Sequence, residues 1–180
     1  FFPTMRIAII GTAWPYRGGL AAFNERLAKQ FVAEGHEVQM VTFTLQYPSF
    51  LFPGKTQYSQ ELAPSGLNIV REINSCNPLN WVRVGKRLEK DAPDLLISCY
   101  WMAFFAPCYG VIQRIVKRNG KTRCLASVHN MIPHEPSLLD KLLAPFYVRE
   151  TDGFVALSDS VVQDIASLDK HNKPKAYSPH

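Results

Sequence analysis

Short apolar runs alternate with stretches of helical hydrophobic spacing along most of the chain. The apolar runs predict six strands: Met5–Ile10, Glu37–Thr44, Leu67–Ile73, Asp94–Cys99, Arg123–Val128 and Gly153–Leu157. The segments between them predict helices: Gly19–Glu34, Leu79–Lys90, Ala103–Asn119, Ser137–Glu150 and Ser158–Ile165. Strands that are apolar throughout are buried on both faces. The pattern therefore predicts an α/β fold, a Rossmann-like doubly wound parallel sheet of about six or seven strands with helices on both faces.

Local signals indicate where several helices begin and end. Gly35 stands where a C-terminal cap ends the first helix. Ser137 as N-cap with Asp140 three residues later forms a capping-box pattern, and Pro145 is expected to kink or split the helix that follows.

One long segment, Leu45–Gly66, has no clean period and is expected to be functional or mobile. Its first part, Leu45–Pro53, is rich in aromatic residues and lies close to Lys55. If exposed, this part would form an apolar patch able to contact a membrane or a lipid-linked substrate. Packing against its own domain is the alternative.

Composition excludes some classes of protein. Hydrophobic residues make up 47% of the 180 and charged residues 19%, which suits one folded domain and excludes global disorder. The formal net charge of +5 is a mild basic excess, which suits a phosphate-bearing ligand or an anionic membrane surface. Because the basic residues are scattered along the sequence, nucleic acid is not expected as a partner.

The cysteines and the N-terminus bear on compartment. The four cysteines are Cys76, Cys99, Cys108 and Cys124. None forms a C-x-x-C pair, so neither a zinc site nor a disulfide framework is expected, and a reducing compartment fits. Cys99 and Cys124 are predicted to be buried thiols. Phe1–Met5 lacks the features of a signal peptide, and the longest uncharged apolar stretch, Cys99–Ile112, is too short to cross a bilayer.

In a doubly wound sheet, ligands bind at the carboxyl ends of the strands. The loop Gly11–Gly19 follows the first strand, and Gly18 and Gly19 allow close approach of a ligand to a helix N-terminus that favours anions. Arg17 adds a positive charge beside them. The loop does not have the G-x-G-x-x-G spacing, and the second strand ends at Val41–Thr44 without an acidic residue, which argues against a dinucleotide-dependent dehydrogenase. A tight turn alone is the other explanation of the glycine pair.

A second candidate loop follows the fifth strand. His129 stands at the strand end, where a neutral imidazole could hydrogen-bond to a substrate hydroxyl, although a structural role stays open. Asn130, His134 and Glu135 follow in the same loop. Metal binding by His129, His134 and Glu135 is an alternative, but their spacing is not that of a zinc hydrolase, so no metal is expected. Tyr100, after the fourth strand, could stack on a sugar or line an acceptor cleft; its alternative is a buried helix start.

Taken together, these motifs resemble the family 4 glycosyltransferases. The residues that carry the resemblance are Met5–Ile10, Pro15–Gly19, Leu27–Ala28, Gly35–Val38, His129–Asn130 with His134–Glu135, and Val155–Ser158. The resemblance implies the GT-B architecture, in which two Rossmann-like domains face each other across a cleft. It also implies a retaining reaction without a metal or another cofactor, with acceptor binding by the N-terminal domain and nucleotide-sugar binding by the C-terminal domain.

The resemblance also implies roles for particular residues. Gly18 and Gly19 would approach the diphosphate or sugar of the donor, and His129 would contact the transferred sugar and help to stabilise the transition state. Arg17 has no family role and is included because of its charge. Asn130, His134, Glu135 and Tyr100 complete the expected substrate-binding set.

The resemblance leads to an expectation about domain organisation. Residues 1–170 would form the N-terminal domain and residues 171–180 the start of an interdomain linker, while the C-terminal nucleotide-sugar domain would be absent. The chain would then be inactive alone. The complete enzyme would transfer a hexose-type sugar to a glycan or lipid-linked acceptor in polysaccharide biosynthesis, in the cytoplasm or peripherally at the inner membrane face.

Two other functions stay open on the sequence. The chain could be a non-catalytic module that binds a glycan or a lipid-linked acceptor, which would require the reading frame to end near His180. It could also belong to an epimerase of the same two-domain architecture. An epimerase would need carboxylates in its cleft, and the strand ends supply few besides Glu135.

Overall fold

A computed structural model describes residues 3–51 and 57–179. The strands are β1 (Arg6–Ile10), β2 (Glu37–Leu45), β3 (Asn68–Asn74), β4 (Leu95–Tyr100), β5 (Arg123–Val128), β6 (Gly153–Ala156) and β7 (Lys175–Tyr177). The α-helices are α1 (Gly19–Ala33), α2 (Pro78–Asp91), α3 (Ala106–Val116), α4 (Leu138–Glu150) and α5 (Asp159–Leu168). Part of the apolar segment predicted above, Phe52 and Pro53 with the neighbouring Lys55, lies outside the described residues.

The strands form a single parallel sheet in the order β3-β2-β1-β4-β5-β6-β7. The chain builds outwards from β1 to β3 and then returns to the other side of β1. The direction of winding therefore reverses between β1 and β4, and the carboxyl ends of these two strands form the switch point. The predicted fold class is confirmed.

Alternation along β1 shows how the sheet is covered on both faces. Ala8 and Ile10 point into the larger hydrophobic cluster, with Val84 of α2 and Ile112 of α3. Ile7 and Ile9 point into a second cluster that includes Ala28 of α1. Since both faces of the strand are buried, its sequence is apolar without interruption.

Helix ends follow their local chemistry. The Ser137 hydroxyl accepts from the Asp140 backbone N–H, and the Asp140 carboxylate accepts from the Ser137 N–H, so the predicted capping box is confirmed. The helix α4 continues through Pro145, so the split that was one of the two predicted effects of this proline does not occur. The third predicted helix is shorter than expected, because its two ends are 3₁₀ turns at Ala103–Phe105 and Lys117–Asn119.

The strand β7 could not be recognised from the sequence because it has three residues and is largely exposed. It pairs with β6 and lies within residues 171–180. That these residues begin an interdomain linker remains a prediction.

A buried carboxylate, that of Asp169, holds the turn before β7. The Asp169 side chain is 1% exposed and accepts from Lys175 Nζ at 2.7 Å and from the backbone N–H groups of His171 and Lys173 at 3.0 and 2.7 Å.

Asp169 predicts a pH dependence of stability. Burial opposes ionisation, but the hydrogen bonds from Lys175 and from the two backbone N–H groups outweigh it and lower the pKa of Asp169 to about 2. A carboxyl whose pKa falls on folding stabilises the protein above its ordinary pKa, and this contribution is lost as the pH falls towards the folded value. Near pH 7 we expect Asp169→Asn to lower the free energy of unfolding by about 1.5–3 kcal/mol.

The measurement is urea unfolding of both proteins between pH 7 and pH 2. The difference in the free energy of unfolding between Asp169→Asn and the parent chain should shrink as the pH falls below about 4. Asp159→Asn, at an exposed position at the start of α5, is the matched control. It should lower the free energy of unfolding far less than Asp169→Asn does. A gap of the same size at both ends of the pH range would contradict the prediction.

Candidate functional site

The loop between β1 and α1 lies at the switch point, and Gly11 lets it pass close to β4. A Cβ atom on Gly11 would stand 2.8 Å from the Cβ of Cys99, and the φ of Gly11 is +156°. Cys99 is fully buried in the strand and cannot move aside. Glycine is therefore required where the chain leaves β1.

Polar side chains from neighbouring elements hold this loop in one conformation. Three hydrogen bonds do so: Asn24 Nδ2 donates to the Thr12 carbonyl at 2.8 Å, the Ala13 N–H donates to Thr42 Oγ1 at 3.1 Å, and the Trp14 N–H donates to Glu25 Oε1 at 2.8 Å. Sequence reasoning did not identify these partners. A signal for Asn24 existed, because it is a polar residue on the buried face of α1 between Ala21 and Ala28.

The N-terminus of α1 is exposed and free of acidic residues. Gly18 is its N-cap with a φ of +115°, it provides no side-chain cap, and the first turn carries no acid. Arg17, Gly18 and Gly19 are all exposed. The first backbone N–H groups of a helix, with the positive end of its dipole, favour an anion at this position.

His129 lies beside the same helix. Its backbone N–H donates to the Tyr100 carbonyl at 2.9 Å, which fixes the residue at the carboxyl edge between β4 and β5. Its imidazole meets the ring of Phe23 edge to face, with centroids 4.7 Å apart and planes at 85°. Because Phe23 belongs to the second turn of α1, the structure brings His129 next to the helix end that carries Gly18 and Gly19.

The other candidate residues are placed differently. Asn130, His134 and Glu135 are exposed in the loop after β5. The Tyr100 side chain is fully buried and stacked on Tyr147, with ring centroids 4.3 Å apart, and burial raises its pKa. In this structure Tyr100 therefore reaches the site through its carbonyl group, which accepts from His129, and not through its ring.

A groove runs along another flank of α1, beside Ala22 and Glu25. It has a volume of about 620 Å³, and its far wall is the segment 58–64. Main-chain hydrogen bonds join this segment to the β1–α1 loop: Arg17 N–H to the Gln57 carbonyl at 3.0 Å and Ser59 N–H to the Pro15 carbonyl at 2.7 Å. The sequence places this segment in a long predicted loop, Leu45–Gly66, without regular hydrophobic spacing.

Three predictions from the sequence concern the metal-ligating side chains, the cysteine thiols and the length of the apolar stretches. Within residues 3–51 and 57–179, no three His, Cys, Asp or Glu side chains are grouped as metal ligands. Cys99 and Cys124 are buried as predicted, and burial raises the pKa of each thiol to about 12. None of the helices in the described part of the chain is long and apolar enough to span a membrane.

Several solved structures share this fold. One α-glucosyltransferase, in complex with UDP-glucose and DNA containing an abasic site, superposes with a TM-score of 0.63 at 17% identity over 98% of this chain. Two further α-glucosyltransferase complexes with UDP and DNA give 0.64 at 16% identity over 98% of this chain and 0.55 at 18% over 84%. The chain covers 42%, 42% and 37% of these structures, so its sheet has the fold of one half of a GT-B glucosyltransferase.

The sequence gives the family. The model of Glycosyltransferase Family 4 matches residues 17–175, which is most of the chain. The protein therefore belongs to glycosyltransferase family 4, and the resemblance found in the sequence is confirmed. A comparison with curated proteins found no match.

One expectation from the sequence is wrong. Nucleic acid was excluded as a partner because the basic residues are scattered along the chain. The α-glucosyltransferases that share this fold were solved in complex with DNA. The spread of charges along a sequence does not show which charges the fold gathers on one surface, so it gave no ground for the exclusion.

Proposed function

We propose that this chain is the N-terminal, acceptor-binding half of a retaining glycosyltransferase. The complete enzyme transfers a hexose-type sugar from a nucleotide sugar to a glycan or lipid-linked acceptor. One observation carries the proposal: the exposed N-terminus of α1, with Gly18 and Gly19, lies one turn from Phe23, and Phe23 packs against the imidazole of His129 at the carboxyl edge of the sheet. Membership of family 4 supports the reaction class.

The helix end acts on the leaving group. As the bond between the sugar and the diphosphate breaks, the bonding electron pair stays with the diphosphate oxygen, and negative charge develops there. Backbone N–H groups at Gly18 and Gly19, the dipole of α1 and the cation of Arg17 stabilise that charge. The exposure of all three residues leaves room for a diphosphate to approach.

His129 acts on the sugar. In the transition state the sugar carries positive charge around its anomeric carbon, and a hydrogen bond from a sugar hydroxyl to a fixed imidazole holds the ring in position. The contact with Phe23 and the hydrogen bond to the Tyr100 carbonyl fix His129 before the substrate arrives. Asn130, His134 and Glu135 lie on the exposed loop that follows and contact the acceptor.

A second domain completes the donor site. The chain spans about two-fifths of the length of the α-glucosyltransferases whose fold it shares. Under this proposal the nucleotide is bound mainly by that second domain, and the chain alone does not turn over. The three buried cysteines, which form no disulfide, are compatible with a cytoplasmic enzyme.

The proposal is tested by a transfer assay on the product of the complete reading frame. UDP- and GDP-hexoses are offered with glycan and lipid-linked acceptors, and with duplex DNA because the structural neighbours bind DNA. Nucleotide release gives the rate, and the coupling constant of the new anomeric proton in the NMR spectrum gives the stereochemistry. We expect a product with the anomeric configuration of the donor; an inverted product would contradict a retaining reaction.

A further inference from the structure

We propose that the groove beside α1 is an acceptor subsite that binds the sugar ring of a neutral glycan. We call it the aromatic groove. Among its lining residues are Trp14, Arg17, Glu25, Tyr58, Glu61 and Leu62. The inference rests on the proposed function and narrows its acceptor to a glycan. None of the sequence patterns above assigned a role to Trp14, Glu25 or Tyr58.

Tyr58 provides a fixed aromatic surface. Its side chain is 47% exposed although its ring packs on that of Tyr16, with centroids 5.3 Å apart. The Arg71 guanidinium lies 5.6 Å from the centre of the Tyr58 ring and 5.9 Å from that of Tyr16. Arg71 Nε in turn donates to the Phe43 carbonyl of β2 at 3.1 Å, which ties the ring pair to the sheet.

Tyr16 is the buried support of this surface. It is 4% exposed and contacts Phe43 edge to face, with centroids 6.4 Å apart. Burial raises the pKa of Tyr16 to about 12, so the phenol stays neutral under all ordinary conditions. An exposed ring on a neutral, packed support loses little conformational freedom when a ligand binds.

Trp14 provides a second fixed ring. Its indole N–H donates to the Glu61 carbonyl at 3.0 Å, and its backbone N–H donates to Glu25 Oε1 at 2.8 Å. The residue is held both at its backbone and at its indole ring, and it is half-buried. Two aromatic rings that keep exposed surface in one groove suit the C–H faces of a pyranose.

The polar groups in the groove favour a neutral ligand. Glu25 and Glu61 bring negative charge to the lining and Arg17 brings positive charge. The carboxylates accept hydroxyl hydrogens, and because the proposed function places the donor diphosphate on Arg17, they are left to repel a phosphate group on the acceptor. An alkyl chain would desolvate these charges and offer them no hydrogen bonds. The volume of about 620 Å³ lies within the range of about 300–1,000 Å³ found for ligand sites.

The aromatic groove lies next to the proposed donor site, as an acceptor subsite must. It includes Arg17 and Gly18, which the proposed function assigns to the donor diphosphate. A glycan bound between Trp14 and Tyr58 would therefore lie next to the diphosphate of the donor. By contrast, the cavity between Leu142 of α4 and His171 includes neither Arg17 nor Gly18.

The test is binding of neutral trisaccharides to the ¹⁵N-labelled chain, without any donor. Maltotriose, cellotriose, mannotriose and chitotriose are titrated at millimolar concentrations, and the three indole N–H signals are followed, that of Trp14 being assigned with Trp14→Phe. We expect one of the sugars to shift the Trp14 signal and to leave that of Trp81 unchanged. Tyr58→Ala should weaken this binding by about tenfold or more.

Tyr177→Ala is the matched control, because Tyr177 is 52% exposed at the far edge of the sheet. It should bind as the parent chain does, and the dispersed spectrum of each variant reports that it is folded. The proposal is overturned if no sugar shifts the Trp14 signal, if Tyr58→Ala binds as tightly as Tyr177→Ala, or if duplex DNA or an alkyl phosphate shifts that signal instead. Since the proposed function is tested by sugar transfer, the two can fail independently.

Discussion

Alanine in place of His129 is expected to lower the turnover of sugar transfer by about 10²–10³-fold in the complete enzyme. The imidazole stands at the strand edge beside α1, where the proposed function places the transferred sugar. The hydrogen bond to the sugar hydroxyl strengthens as positive charge develops on the sugar, and removing an interaction that strengthens in the transition state lowers kcat more than it raises KM. We therefore expect little change in the KM for the donor.

The stability of the same variant separates a catalytic role from a structural one. His129 is only partly buried, and its backbone hydrogen bond to Tyr100 survives the substitution. The free energy of unfolding should therefore fall by less than about 1 kcal/mol. His171→Ala, at an exposed position near the other end of the chain, is the control for both readouts. Parallel losses of activity and stability in His129→Ala would remove the catalytic assignment.

Gly11→Ala is expected to lower the free energy of unfolding by about 1–3 kcal/mol. The added methyl group would stand 2.8 Å from the Cβ of Cys99 and 3.3 Å from Asn24 Nδ2. Neither neighbour yields easily, because Cys99 is part of a central strand and Asn24 holds the Thr12 carbonyl. The loop must move, and the helix end that it leads into moves with it.

Urea unfolding measures the cost, with Gly19→Ala as the matched glycine substitution. A methyl group on Gly19 meets no atom within 4 Å, and its backbone is helical, so its stability should be unchanged or slightly higher. Equal stability of Gly11→Ala and Gly19→Ala would show that the β1–α1 loop is not constrained by its contact with β4.

The fold could be predicted because each of its central elements carries its own signal. The strand β1 is buried on both faces and is therefore apolar throughout, and the capping box of Ser137 is a local pattern. The strand β7 carries no such signal. Its three residues are held by pairing with β6, and the adjoining turn is held by the buried ion pair of Asp169 with Lys175, both of which depend on tertiary structure.

The candidate site could be predicted only in part. Strand ends indicated His129 and the glycine pair, since parallel strands finish at one edge of the sheet. The same rule could not tell which way a side chain points, and Tyr100 turns into the core against Tyr147. The aromatic groove could not be predicted from the sequence. It depends on an isolated β-bridge between Tyr16 and Tyr58, which are 42 residues apart in the chain and lie in two different loops.

The transfer assay is best run side by side on this chain and on the product of the complete reading frame. We expect nucleotide release and a sugar product of retained configuration from the complete protein only, with no turnover by this chain. Silence of both proteins across the donors and acceptors, with both folded, would contradict a glycosyltransferase and favour a binding module. Full activity of this chain alone would contradict the assignment of the donor site to a second domain.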